Sequence, residues 1–251
     1  MGSALRTKGW ASRDPTALAN LAAPHLVRTV HRAHRAAGAR VVTTNTFSAL
    51  LVNDSLCLET VRAGVRLARE AAGREGRVAG TVAAFGLAVD DPQLEDVVKV
   101  LVDEGVDVLV FETCNSLRDA EQAMRLRQRL ADQLPAVVCA STTDGGPADR
   151  TRVRQVLSFV QTAGDPQVES GLNCCRGPHD TLRMALAGDV VPRWLKPSTG
   201  LPSDRADDNV MAAFARTADL HRVRFIGGCC GTSAQALGAM AAALEGNART
   251  A

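Results

Sequence analysis

Val106-Asp107-Val108-Leu109-Val110-Phe111, followed at once by Glu112-Thr113-Cys114, is the stretch on which the fold turns. Apolar residues occupy both alternating sets of positions, so a strand made from this run buries both its faces. Comparable runs recur at Arg40–Thr44, Arg77–Val82, Ala136–Ser141, Val168–Leu172, Arg193–Lys196 and Arg224–Gly228, giving seven expected strands. Between them, single apolar stripes repeat at helical spacing: Leu26, Val30, Ala33 and Ala37; Val61, Val65, Ala68 and Ala72; Leu237, Met240, Ala241 and Leu244. Strands buried on two faces and helices buried on one describe repeated right-handed βα units. Seven or eight such units in 251 residues predict an α/β fold, a (β/α)8 TIM barrel. A doubly wound open sheet is the alternative, but no Gly-x-Gly-x-x-Gly turn follows an early strand.

Composition narrows the function. With 46% hydrophobic residues the chain buries a substantial core as one domain, and Asp144–Pro147 and Pro197–Asp208 read as loops rather than linkers. The net charge is +2 and aromatics are 3% with no Tyr, which argues against base-stacking surfaces and against an aromatic membrane belt. No leader and no spanning apolar stretch is read, so a soluble, cytoplasmic protein acting on a small polar substrate is expected. Seven cysteines in such a setting are expected to be reduced thiols, ligands or core residues rather than disulfides.

In a barrel the working face lies where strands end. The rich ends are Thr43-Thr44-Asn45-Thr46-Phe47, Glu112-Thr113-Cys114, Asn173-Cys174-Cys175 and Gly227-Gly228-Cys229-Cys230-Gly231-Thr232. Cys174 lies 55 and 56 positions from Cys229 and Cys230, yet one rim collects all strand ends. Three cysteine ligands leave one tetrahedral position open, the pattern of a catalytic zinc, and a substrate sulfur fits that position. Zinc favours thiolate over thiol, so a bound thiol of ordinary pKa near ~8.5 would be ionised at neutral pH. The glycines free the backbone to aim two adjacent ligands at one ion. Thr232 and Gln235 read as a capping box for the last helix, whose positive end would favour the thiolates. The competing reading is that buried cysteine is a common small hydrophobe and that Gly-Gly-Cys-Cys-Gly is only a tight turn. Core packing is the expected role of Cys57, Cys114 and Cys139, and a spare thiol that of Cys175. The five histidines are read as structural.

Glu112 ends an apolar strand, where it serves either as counter-ion to a substrate ammonium or as a solvated rim charge. Thr44, Asn45 and Asn173 offer neutral hydrogen-bonding groups suited to an amino-acid backbone, although turn formation alone also explains Asn45.

These motifs, taken with Lys196-Pro197-Ser198-Thr199-Gly200-Leu201-Pro202, resemble in order and spacing the homocysteine S-methyltransferase family over nearly the whole chain. That family is a zinc-dependent (β/α)8 barrel that includes betaine- and S-methylmethionine-dependent enzymes and the homocysteine-binding module of cobalamin-dependent methionine synthase. The resemblance implies that Cys174, Cys229 and Cys230 ligate Zn2+, that Glu112 holds the homocysteine amino group, and that Thr44 and Phe47 line the substrate. It implies methyl transfer to homocysteine, giving methionine, with no general base beyond the metal site. The donor is left open between a small molecule and a cobalamin-borne methyl; any cobalamin or folate module is a separate partner. Family members begin with a strand ending in Asp-Gly, a small residue and Met-Gly-Thr or Met-Gly-Ser, whereas this chain begins at Met1-Gly2-Ser3-Ala4-Leu5, inside that motif. Residues 1–251 are accordingly expected to form a single barrel, N-terminally truncated and lacking most or all of the first strand. The alternative to an active enzyme is a catalytically silent zinc- or thiol-binding barrel, and a structural interaction subunit is a weaker third reading.

Overall fold

All seven apolar runs form strands in the computed structural model, which describes residues 1–11, 13–84, 91–142, 146–188, 191–199 and 206–248. The strands are β1 (Val41–Thr43), β2 (Arg77–Ala83), β3 (Val108–Cys114), β4 (Ala136–Ala140), β5 (Val168–Cys174), β6 (Trp194–Pro197) and β7 (Phe225–Ile226). Each pairs in parallel with the next, in the order β1-β2-β3-β4-β5-β6-β7. The sheet curls into an open half-barrel of seven strands, consistent with a TIM-barrel-like fold that lacks its first strand. Of the expected loops and the Lys196–Pro202 motif, residues 144–145 and 200–205 lie outside the described residues.

Helices alternate with the strands: α1 (Gly2–Thr7), α2 (Ala19–Ala22) and α3 (Pro24–Ala36) precede β1, and α4 (Asp54–Ala72), α5 (Pro92–Asp103), α6 (Leu117–Leu130), α7 (Pro147–Thr162), α8 (Pro178–Ala185), α9 (Asp208–Leu220) and α10 (Ala234–Ala248) follow β1 to β7 in turn. Their starts carry short polar acceptors for otherwise unpaired N–H groups: Asn53, Asp91, Ser116 and Asp207 each accept from the first turn of α4, α5, α6 and α9. No described helix is long and apolar enough to cross a membrane.

Strand alternation divides the core in two. Val78, Val82, Leu109, Phe111, Val138, Leu172 and Leu195 pack outward against helix residues such as Val65, Leu101, Val156 and Phe214. Ala79, Val108, Val110, Val137, Cys139 and Trp194 form a separate cluster on the inner face. Inward positions one step further along these strands are polar: Glu112 follows Val110, and Lys196 follows Trp194. The sheet therefore changes from apolar to charged at its C-terminal end.

Among the described residues no pairing joins β7 back to β1, but the helices meet across that interval. A Cβ added to Gly38, at the end of the α3 unit, would lie 2.9 Å from the Cβ of Ala241 in α10, and Gly38 has φ +93. Glycine there both accepts the turn and lets the first and last units touch.

His31 on α3 is 1% exposed, and its Nε2 has no partner among the described residues. Burial, then the nearby His34, then the chain's N-terminal ammonium push its pKa down to about 3. An unfolded histidine titrates near ~6.5, so below that pH the unfolded chain takes up a proton that folded His31 refuses. The associated stability is complete above pH ~6.5 and is lost as pH falls toward 3. Between pH 6.5 and 5, where carboxylates stay ionised, the loss expected from His31 is about 2 kcal/mol. Urea unfolding of wild type and His31→Leu across this window checks it: the variant should show the flatter dependence, and parallel slopes would refute the assignment.

Candidate functional site

Cys174, Cys229 and Cys230 come together at the C-terminal end of the sheet. Their sulfurs all lie within 4.8 Å of one another, with Cys174 Sγ 3.0 Å from Cys229 Sγ and 3.8 Å from Cys230 Sγ. Adjacent strands stand about 4.8 Å apart, and Cys174 ends β5 while the pair follows β7, so β6 lies between them. Local geometry closes this span. Cys174 and Cys175 adopt left-handed backbone, φ 58 and 48, which turns the chain sharply at the ligand.

The end of β6 then ties the two sides together through its backbone. Ser198 N–H donates to Cys174 O at 2.6 Å, Cys229 N–H donates to Pro197 O at 2.7 Å, and Thr199 N–H donates to Cys230 O at 3.0 Å. Ser198 Oγ adds a bond to Cys175 O at 2.8 Å. Pro197, Ser198 and Thr199 of the Lys196–Pro202 motif form this bridge, a role signalled in the sequence only by one parallel strand lying between two others. Gly228 is required for a close approach: a Cβ there would fall 2.3 Å from Thr232 Cγ2 and 2.6 Å from Thr232 Cβ.

The last helix starts one residue later than the expected capping box. α10 begins at Ala234, and Ser233 Oγ accepts from Ala236 N–H at 3.0 Å. Ser233 is the residue whose hydroxyl reaches the open N–H groups, and Thr232 Oγ1 is buried without a partner among the described residues. Thr232 instead packs against Gly228.

Electrostatics set Cys230 apart from the buried core thiols. Burial pushes Cys57, Cys114, Cys139 and Cys175 above the ordinary thiol range, as suits core residues. Cys230 moves the other way, because hydrogen bonds from Cys174 and Cys229 favour its thiolate. Cys174 is raised by those same shared hydrogen bonds, so its proton serves a neighbouring sulfur. The geometry also suits a metal: with metal–sulfur bonds of ~2.3 Å, a tetrahedral set places its sulfurs about 3.8 Å apart. The Cys174–Cys230 separation matches this, and Cys174 and Cys229 need only open slightly.

Glu112 is buried, 6% exposed, and forms an ion pair with Lys196 Nζ. The solvated-rim alternative is therefore corrected: β3 runs on to Cys114, past the expected end at Phe111, and carries Glu112 into the inner layer. Burial disfavours the Lys196 ammonium, but Glu112 and Cys229 more than compensate and hold its pKa above the ordinary lysine value. The Met1 ammonium is also close. Burial and then Lys196 lower its pKa, while Cys229, Glu112 and Cys230 act to raise it.

Asn173, beside Cys174, uses its amide within the protein. Its Oδ1 accepts from Thr113 N–H at 2.9 Å and its Nδ2 donates to Thr113 Oγ1 at 2.9 Å. Thr113 has φ 66, costly for a β-branched residue, at the register shift between Phe111 and Cys114. Asn173 thus pins the kink that follows Glu112 and links it to a thiol ligand's strand. Thr44 Oγ1 accepts from Thr81 N–H at 2.9 Å and pairs with Thr46 Oγ1 at 2.6 Å. Asn45 turns away toward α2, donating to Thr16 O at 2.7 Å and Asn20 Oδ1 at 3.0 Å. Phe47 is half-buried in the turn after β1.

The homocysteine S-methyltransferase family model matches residues 1–244. Methionine synthase of Mycobacterium tuberculosis (strain ATCC 25618 / H37Rv) is 27% identical over 259 aligned residues, covering 88% of this chain and 22% of that protein. Methionine synthase of Mycobacterium leprae (strain TN) is likewise 27% identical over 259 residues, covering 88% and 21%. The chain spans about a fifth of the length of these curated relatives. Among solved structures, the apo form of the homocysteine methyltransferase MmuM from Escherichia coli aligns with TM-score 0.75 and 25% identity over 97% of this chain and 93% of that one. Its metallated form aligns with TM-score 0.77 and 24% identity over 96% and 93%, a likeness of fold.

Proposed function

The chain belongs to the homocysteine S-methyltransferase family, and on that premise we propose that it transfers a methyl group to the thiol of homocysteine, giving methionine, with zinc held by Cys174, Cys229 and Cys230. The observation that carries this reading is the convergence of three thiols at the C-terminal end of a parallel sheet, beside a buried carboxylate. Cys174, Cys229 and Cys230 are three soft sulfur donors that suit zinc, and a zinc held by three protein ligands would be open to an acceptor sulfur. Held by these three thiols, zinc would lower the pKa of an acceptor thiol, so that no general base would be required.

The chain's own residues do the positioning. Glu112 receives the acceptor's ammonium group at the level of the thiol cluster. Asn173 holds the Thr113 kink, and so the direction of Glu112, while Thr44 and Phe47 shape the mouth after β1 and Asn45 anchors that turn to Asn20. The acceptor sulfur then attacks the donor's methyl carbon; the new S–C bond forms as the donor's bond to methyl breaks, and that electron pair leaves with the donor. The donor is a small methylated compound or a methylcobalamin presented by a separate module.

Zinc-loaded protein incubated with homocysteine and, in parallel, S-methylmethionine, betaine or methylcobalamin should form methionine from at least one donor. Stoichiometric zinc with no methionine from any of the three would favour the silent barrel instead.

A further inference from the structure

Glu112 and Lys196 are, among the described residues, each other's only side-chain hydrogen-bond partners. Their side chains are 7% and 12% exposed, on the inner face of the sheet. Such a pair is a poor device for stability alone, because desolvating two charges offsets most of their attraction and an apolar pair would serve as well. Its place in the barrel suggests another use. Below it the inner face is apolar: Val108 and Val110 on β3, Val137 and Cys139 on β4, Trp194 on β6. The charges enter only at the last inward positions. Lys196 stands in register with Asn173, and Pro197 with Cys174, so the ammonium and carboxylate share the level of the thiol cluster.

Bonding capacity remains on both groups. An ammonium has three donors and a carboxylate two acceptor oxygens, and the pair uses one of each. An α-amino acid carries the mirror image of this arrangement, an ammonium and a carboxylate on one carbon.

Resting on the methyl-acceptor reading above, we propose that Lys196 is a specificity-determining residue. Lys196 takes the acceptor's carboxylate while Glu112 takes its ammonium, so the site selects thiols that carry both groups. The two side chains separate only far enough to admit the zwitterion, and each exchanges one opposite charge for another. Lys196 acts on binding of the acceptor and not on the reacting sulfur.

Calorimetric titration of zinc-reconstituted full chain tests this with three thiols: homocysteine, 4-mercaptobutanoate, which lacks the ammonium, and 3-aminopropane-1-thiol, which lacks the carboxylate. Lys196→Gln, which keeps a donor for Glu112, should weaken homocysteine and 4-mercaptobutanoate about 10- to 100-fold. It should leave 3-aminopropane-1-thiol no weaker, whereas Glu112→Gln should show the opposite preference. If Lys196→Gln is too unstable to titrate, E112Q/K196Q compared with E112Q on 4-mercaptobutanoate reads the same contribution. Equal weakening of all three thiols, or none, would overturn the assignment of Lys196. Wild type that holds zinc but binds no thiol would instead overturn the acceptor reading on which it rests.

Discussion

Cys229→Ala is expected to lose zinc and, with it, detectable methionine formation. Removing one of three protein ligands leaves two sulfurs that no longer define a site. Even groups that only orient a ligand contribute about 10- to 100-fold to metal affinity, so loss of a direct ligand should exceed that range. The fold should persist, because Cys229 belongs to the loop after β7 and to none of the three buried hydrophobic clusters. Metal analysis of protein dialysed against a mild chelator, with circular dichroism on the same samples, separates the two effects. Cys57→Ala is the control: its thiol is fully buried in the helix–sheet core, so stability should fall while zinc content stays at wild-type level. Equal zinc in Cys229→Ala and wild type would remove the cluster as the metal site.

Lys196→Met should destabilise the barrel by about 3–5 kcal/mol, because it leaves Glu112 buried and unpaired. The companion variant E112M/K196M removes both charges and fills comparable volume, so it should return to within roughly 1–2 kcal/mol of wild type or become more stable. Urea unfolding of the two single variants and the double variant completes the cycle. A double variant as unstable as the sum of the singles would show that the two groups do not act as a pair. The double variant is also informative about function: it should hold zinc at the undisturbed cysteines yet have lost affinity for homocysteine.

Much of this was legible in the chain. The seven strands follow from runs such as Val108–Phe111 and Ala136–Ala140, whose burial on both faces leaves little choice of environment. Glu112 illustrates the limit. Its position at a strand end suggested either a rim charge or a counter-ion, and nothing local reveals that Lys196, 84 residues later, reaches it. Asn173 is similar: an amide beside Cys174 looked available to substrate, but both its hydrogen-bonding ends meet Thr113, 60 residues away. The cap of α10 failed for a smaller reason, since Thr232 and Ser233 are both good cap residues and the tight packing of Thr232 on Gly228 decides between them.

The sequence by itself determined the succession of βα units and which residues stand at the strand ends, because periodicity and burial are properties of a segment and its nearest neighbours. Only the tertiary structure decided how those ends combine. The curl of the sheet, the left-handed turn at Cys174 and Cys175, and the backbone bridge of Pro197–Thr199 bring three sulfurs to one point. The same curl places Lys196 against Glu112. Such pairings depend on strand register and on a few strained backbone angles, which are set by the packing of the whole barrel rather than by any one stretch of it.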